Sequence, residues 1–317
     1  MKFLNIINIK KFMLLVFLCF LFAWINIEHS KINKIPTTNI TTTNSNDNNI
    51  IAVNDTQLIV PSSIGFPIVV DKRDGVVAQS IIQTGLWEKN ISEILNKLVK
   101  KGDIVVEIGS NYGYHTISLG KIVGKKGKVY GYEANKDLCR NILNKNIVLN
   151  DLTDNVIISC TAVSDQEQTN VKFFTGFSNL GGSFIAGKNF NLTNFNQNEL
   201  YKDWEAKTVN TITLDQDLKY LKNIDILRMD SEGSELAIIN GAYNLISSSK
   251  DIKIIMEWST AMLSNFGNVE TLLNKLESDS FNFYLINHNG TLTKKTKSEM
   301  LVLPHCDVVI ARNNIEF

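Results

Sequence analysis

Residues 104–114 read "IVVEIGSNYGY", and the helix-compatible stretch "HTISLGKI" follows at once. The first five residues are apolar except for Glu107, the pattern of a strand buried on both faces. Gly109 lets the chain turn abruptly where that strand ends. Gly113 lets the backbone approach a ligand where a Cβ would collide. Asn111, between them, is among the non-glycine residues that best tolerate a left-handed conformation. The helix predicted over about 114–122 presents its free N–H groups at this bend, which suits an anion such as a carboxylate.

Working outward, apolar extended runs alternate with helical periodicity. Residues 88–99 set Ile91, Ile94, Leu95 and Leu98 on one helical face. "KVYGYE" (128–133) and "NVIISCTAV" (155–163) predict a second and a third strand. "VKFFTGF" and "GGSFI" (171–185) predict an inserted hairpin around Asn179, and "VNTITL" (209–214) a further extended piece. "IDILRMD" (224–230) and "DIKIIMEW" (251–258) are buried strands, separated by a helix carrying Leu236, Ile239, Ala242, Tyr243 and Ile246. "FNFYLIN" (281–287) and "CDVVIAR" (306–312) close the sheet. The expectation is an α/β, doubly wound, Rossmann-like sheet over residues 63–317, with its ligand at the carboxyl ends of the strands.

The N-terminal residues are a separate object. Lys2, Lys10 and Lys11 precede an apolar run over 12–27. A secretory apolar region is usually ~7–15 residues and a spanning helix about 17–25, so the run lies between them. Glu28, His29, Ser30 and Lys31 follow, without a small-residue cleavage site. The expectation is a single-pass signal anchor in type II orientation, with residues 1–11 cytosolic; a cleaved secretory signal is the alternative. Residues 28–62, Thr/Asn-rich through "TTNITTTNSNDNN", read as a flexible stem.

Composition narrows the function. Lys plus Arg and Asp plus Glu are equal at 32 each, so no broad basic face for nucleic acid is implied. Cys19, Cys139, Cys160 and Cys306 are scattered without a C-x-x-C pair, which argues against a zinc ribbon or a disulfide-stapled scaffold.

Glu133 ends the second strand, placed so that its carboxylate accepts both hydroxyls of a ribose. Bend plus acid points to a nucleoside-bearing ligand. NAD is one candidate, but its G-x-G-x-x-G fingerprint is not met: Asn111 stands at the second position and no third glycine follows. S-adenosyl-L-methionine (SAM) has a ribose, a sulfonium and an amino acid end but no phosphate, and Glu107 suits its ammonium group. SAM is therefore favoured.

Five blocks then resemble the FkbM family of SAM-dependent methyltransferases, over about residues 70–312: "QTGLWE" (83–88), "VVEIGSNYGYHT" (105–116), "GYEAN" (131–135), "AVSD" (162–165), and "TLD" (213–215) with "IDILRMDSEGSE" (224–235). Glu107 stands where Asp is commoner, Ala134 where Pro is frequent and Ser231 where Val is usual. The resemblance implies a class I methyltransferase sheet, with the cofactor held by Glu107, Gly109, Asn111, Gly113, Glu133 and Ala162. It also implies a hydroxyl acceptor, on a small molecule or a glycan or lipid-linked glycan.

An alcohol acceptor needs its proton removed by a base or by metal-assisted acidification. Asp230, Glu257 and Glu232, in that order, are the candidates for this work, at the ends of two adjacent strands. No metal is required by the reading; Mg or Mn, if one is used, would sit on Asp230 and Glu257. Glu235 falls in a first helical turn, where an acid favours the helix dipole. His115 is expected to be structural, His288 to lie in a surface turn, and His305 to precede the last strand within reach of the pocket. Two rival readings stay open: an anchored metal-dependent glycosyltransferase using Asp215-x-Asp217, and a catalytically dead SAM-binding module.

Overall fold

The computed structural model describes residues 50–190, 195, 198 and 201–315. The expected anchor over 12–27, its flank over 1–11 and most of the stem lie outside these residues. No helix among the described residues is long and apolar enough to cross a membrane. The chain enters the fold earlier than its composition suggests. Residues assigned above to the stem form β1 (Ile51–Ala52) and β2 (Gln57–Pro61), which make an antiparallel sheet with β3 (Pro67–Asp71). The order comes from pairing and from Val60, which is buried in the core under a polar composition.

Helices α1 (Val77–Thr84) and α2 (Lys89–Leu98) follow. In α2, Ile91, Ile94, Leu95 and Leu98 are buried as the periodicity predicts. Next come β4 (Ile104–Ile108), α3 (Tyr114–Val123), β5 (Lys128–Tyr132), α4 (Lys136–Leu138), a π-helical turn (Cys139–Leu143), α5 (Asn144–Leu149) and β6 (Val156–Ser159). A four-stranded insertion follows: β7 (Ala162–Val163), β8 (Gln168–Thr175), β9 (Phe184–Ile185) and β10 (Glu205–Ile212), in the order β7-β10-β8-β9. The chain then returns through α6 (Leu214–Asp217), β11 (Ile226–Met229), α7 (Glu235–Gly241), α8 (Tyr243–Ser248) and β12 (Lys253–Trp258). The last elements are α9 (Thr260–Leu263), α10 (Val269–Ser278), β13 (Asn282–Ile286), β14 (Leu292–Lys295), α11 (Lys297–Met300) and β15 (Cys306–Ala311).

The main sheet has eight strands in the order β14-β13-β15-β12-β11-β4-β5-β6. β6, β5, β4, β11 and β12 are mutually parallel; β15 runs antiparallel to them, and β13, antiparallel to β15, has the same direction as the five. Alternate residues of β4, Val105 and Val106, enter different core clusters, as do Ile226 and Leu227 of β11. The sheet is thus covered on both faces, the doubly wound arrangement. Strand order reverses between β4 and β11, and a sheet of this class takes its ligand at that switch point.

Four sequence expectations are corrected. The run 155–163 is two strands: β6 ends at Ser159, and β7 leaves the main sheet to pair in parallel with Thr211–Ile212 of β10. The helix over 236–246 is broken at Ala242 into α7 and α8. Beside the break the chain packs closely, since a Cβ on Gly241 would lie 2.1 Å from the Ser164 carbonyl oxygen. β14 was not anticipated, because its sequence, Leu292–Lys295, is half-exposed and carries two lysines. Cys139 and Cys160 form a disulfide, from the π-helical turn to the residue after β6. Their separation of 21 residues hid a pair that the parallel order of β5 and β6 brings together.

Candidate active site

The bend after β4 is held from both sides. Gly109, Asn111 and Gly113 all have positive φ, at 81°, 51° and 88°. Glycine is required at 109 by space as well as by dihedral angle: a Cβ there would lie 1.8 Å from the Asp230 carbonyl oxygen. The end of β11 therefore presses directly on the bend. The amides of Gly109 and Ser110 both donate to the Tyr132 carbonyl at the end of β5. Glu107 is fully buried, and its Oε2 accepts from Ser110 Oγ and Thr116 Oγ1, one hydroxyl on each side of the bend. Glu107 Oε1 has no hydrogen-bond partner, and neither does the buried Oδ1 of Asn111.

Glu133 closes the other wall. Its Oε2 accepts from the Asn111 amide at 2.8 Å and its Oε1 from the Asn135 amide at 2.7 Å. Burial pushes its carboxyl up to about 7, against the pull of those two amides. Each oxygen keeps a second lone pair for a hydroxyl. Ala162 lies in a small core with Phe173, Ile185 and Val209, against which Ala134, the residue after Glu133, packs.

Asn146, fully buried, braces the same loop from the N-terminal sheet. Its side chain accepts from the Val69 amide at 2.6 Å and donates to the carbonyls of Val69 and Tyr112. The early strands thus support the bend rather than merely precede it.

Behind the bend stands a charge that the sequence did not reveal as functional. Arg228, in the middle of β11, is 4% exposed. Its guanidinium donates to the Gly109 carbonyl (3.2 Å), Glu88 Oε2 (3.2 Å) and Asp230 Oδ2 (2.9 Å), and lies 3.6 Å from Glu107 Oε1. Burial works against this charge, but Asp230, Glu88 and Glu107 outweigh it and hold the pKa above its ordinary value. Glu88, at positive φ before α2, also bonds His115 Nε2 at 2.9 Å. Burial opposes the Glu88 charge, yet His115 and Arg228 keep its carboxyl below the usual range. An arginine inside an apolar strand must find partners, and this was the signal available in "ILRMD".

The acids expected to do chemistry do come together. One carboxylate oxygen each from Asp230, Glu232 and Glu257 lie within 4.8 Å of one another. Glu232 and Gly233 are both left-handed, at φ 53° and 99°, so the chain after β11 folds back sharply at this mouth. Burial, then the neighbouring carboxylates, push the Glu232 carboxyl well above its usual value. Burial does the same for Asp230, with Arg228 pulling the other way. Asp307, opposite Glu257 across the β12–β15 pair, is pushed up to about 7 by burial and by Glu88 and Glu257. Asp230 is committed to Arg228, and Glu257 Oε1 to His305 Nε2 at 2.5 Å. Proximity among the three acids is a charge cluster, and no metal is assigned to it.

The remaining candidates have structural tasks. Glu235 accepts from the amide and hydroxyl of Ser231, tying down the turn. Asp215 caps α8 through the amides of Asn244 and Leu245, and Asp217 accepts from the Tyr132 hydroxyl, so both acids of the D-x-D triplet are engaged elsewhere. His288 is exposed.

Parallel strands turning at a glycine bend, with an acid at the end of the next strand, define a Rossmann-like class I methyltransferase with a mixed central sheet. Residues 107–283 match the methyltransferase FkbM domain, and the chain belongs to that family of SAM-dependent methyltransferases. Among solved structures, it is similar to the FkbM methyltransferase of Methylobacillus flagellatus (13% identity, 66% of this chain and 43% of that one, TM-score 0.40). It is also similar to a SAM-dependent O-methyltransferase of Thermotoga maritima (11%, 83% and 94%, TM-score 0.38). A third is an O-methyltransferase of Bacillus cereus in complex with SAH (14%, 70% and 78%, TM-score 0.38). No curated protein sequence matches the chain. The bend fits SAM through two buried polar atoms without a hydrogen-bond partner, Glu107 Oε1 and Asn111 Oδ1, whereas the room beside Gly109 and Gly113 is taken by the Asp230 carbonyl and the Leu143 side chain rather than left for a ligand.

Proposed function

We propose that the protein transfers a methyl group from SAM to a hydroxyl of a glycan or glycolipid. The observation that carries this reading is the clustering of Asp230, Glu232 and Glu257 where β11 and β12 end, against the bend. In this reading Glu133 takes the ribose hydroxyls, and Glu107 takes the ammonium of the amino acid end. SAM supplies an electrophilic methyl group on a sulfonium. The protein's part is to orient the acceptor oxygen and to receive its proton. Carboxyls clustered at one mouth are suited to a polyol, because a sugar offers several adjacent O–H donors. Tyr201 adds an aromatic face to that mouth: its ring stacks on Phe195 at 4.5 Å, and burial and the Glu232 charge both raise its phenol. Asp230, fixed by Arg228, is the first acid assigned to the acceptor, with Glu257 and Glu232 beside it.

The apolar run over 12–27 is proposed to anchor the domain in type II orientation. The Cys139–Cys160 bond supports placement on a non-reducing side of the membrane, where such bonds persist. SAM would then have to be imported. Protease protection in sealed vesicles tests the orientation, and digestion of the domain from the cytosolic side would contradict it.

The function is tested by mass spectrometry of glycans and lipids extracted after expression. A species heavier by one methylene, strongly depleted with Asp230→Asn, is the expected result. SAM binding without a methylated product would favour the binding-module reading.

A further inference from the structure

Glu257 Oε2 is a buried atom with no hydrogen-bond partner, while Glu257 Oε1 lies 2.5 Å from His305 Nε2. The two side chains differ in access. Glu257 is 12% exposed at the end of β12, and His305 is 53% exposed just before β15. The antiparallel β12–β15 pair fixes their approach, since it sets Trp258 opposite Cys306 and Glu257 opposite Asp307. A carboxylate oxygen of the same Glu257 lies within 4.8 Å of those of Asp230 and Glu232. The imidazole therefore stands at the rim of the acidic mouth, oriented by a buried carboxylate, with no partner on Nδ1 among the described residues.

A base held by a third group is the arrangement that activates a weak oxygen nucleophile. Asp230 is already engaged by a buried arginine, which makes it the better anchor for a neighbouring hydroxyl and the poorer sink for a proton. Deepening the hydroxyl-transfer reading and resting on it, we infer that His305 is the catalytic base of the reaction and that Glu257 is its positioning residue. In the neutral imidazole, Nε2–H donates to Glu257 and Nδ1 keeps its lone pair for the acceptor. The acceptor O–H bond breaks as its oxygen gains the methyl group. The electron pair of the broken carbon–sulfur bond stays on sulfur, and the proton passes to Nδ1 and then to water. The imidazolium so formed is stabilised by Glu257.

The groups facing His305 are Glu257 on β12, Asp307 on β15 and Glu235 on α7. The Glu257 hydrogen bond, against burial, raises the imidazole above its ordinary value, with the other acids adding to it. The base form therefore increases as pH rises through that raised value, and so does turnover.

The test measures methyl transfer from labelled SAM to a total glycan and glycolipid extract, with SAM affinity measured in parallel. His305→Gln should bind SAM as the wild type does and lose turnover on the order of 10²–10⁴-fold. His305→Ala should regain part of that loss with added imidazole. Glu257→Gln should keep some turnover with its alkaline rise moved to lower pH, because the neutral amide no longer favours the imidazolium. Wild-type turnover in His305→Gln overturns the inference and leaves the hydroxyl reading intact. So does a loss that imidazole does not restore, or wild-type activity abolished by a chelator and restored by Mg. Absence of transfer by the wild type overturns the hydroxyl reading and the inference with it.

Discussion

At the β4–β5 end of the site, Glu107 and Glu133 direct their oxygens to the backbone and hydroxyl groups of the bend they serve. At the β11–β12 end, Asp230, Glu232 and Glu257 face one another, with Arg228 behind and a half-exposed His305 in front. The first end is a shape closed by hydrogen bonds before any ligand arrives. At the second, Asp230, Glu232 and Asp307 ionise reluctantly, because burial and then the neighbouring carboxylates disfavour their charge. The contrast matches two tasks. Holding a constant donor rewards a rigid cradle, and moving a proton from a hydroxyl rewards groups whose charge is close to changing.

Arg228 joins the two ends, and removing it should produce the largest effect. Arg228→Met leaves Glu88, Asp230 and Glu107 without their shared cation and should lower unfolding free energy by about 3–5 kcal/mol, read by chemical denaturation. Unchanged stability would mean that the acids do not depend on it. Next, Asp230→Asn should reduce turnover on the order of 10²-fold by disturbing acceptor orientation, with SAM affinity preserved. An equal loss of SAM affinity would erase the division between the ends. Glu133→Gln should weaken SAM binding by about 1.5–3 kcal/mol, the range for a hydrogen bond to a charged group, as read by calorimetry. A retained affinity would make Glu133 a loop clamp only. The smallest effect is that of pH on the wild type. Burial raises the Glu133 carboxyl to about 7, and the ribose needs it ionised. SAM affinity should therefore fall as pH drops below about 7, by at most about tenfold per unit. A flat profile there would separate Glu133 from the ligand.

The cradle was legible in the sequence because it is local. Gly109, Asn111 and Gly113 adopt the left-handed conformations that their residue types predict, and the strand and helix on either side need only apolar periodicity. Glu133 follows from the same logic one strand later. The acceptor end was legible only in part. Asp230 and Glu257 could be placed because parallel strands end at one edge, but their partners come from distant segments. Glu88 lies 140 residues from Arg228, and His305 lies 48 residues from Glu257. Nothing in the local pattern around either one declares the pairing. The single third strand was misjudged for a related reason: the apolar run does not mark where it changes sheets, and that change depends on pairing with β10.

The most direct test of the account is a crystal structure with S-adenosylhomocysteine bound. The account predicts the ribose hydroxyls on Glu133, the amino acid end beside Glu107 and Gly109, and the sulfur turned toward Asp230 and Glu257. A ligand bound elsewhere, with the bend still closed on itself and Glu133 in contact only with the amides of Asn111 and Asn135, would contradict it.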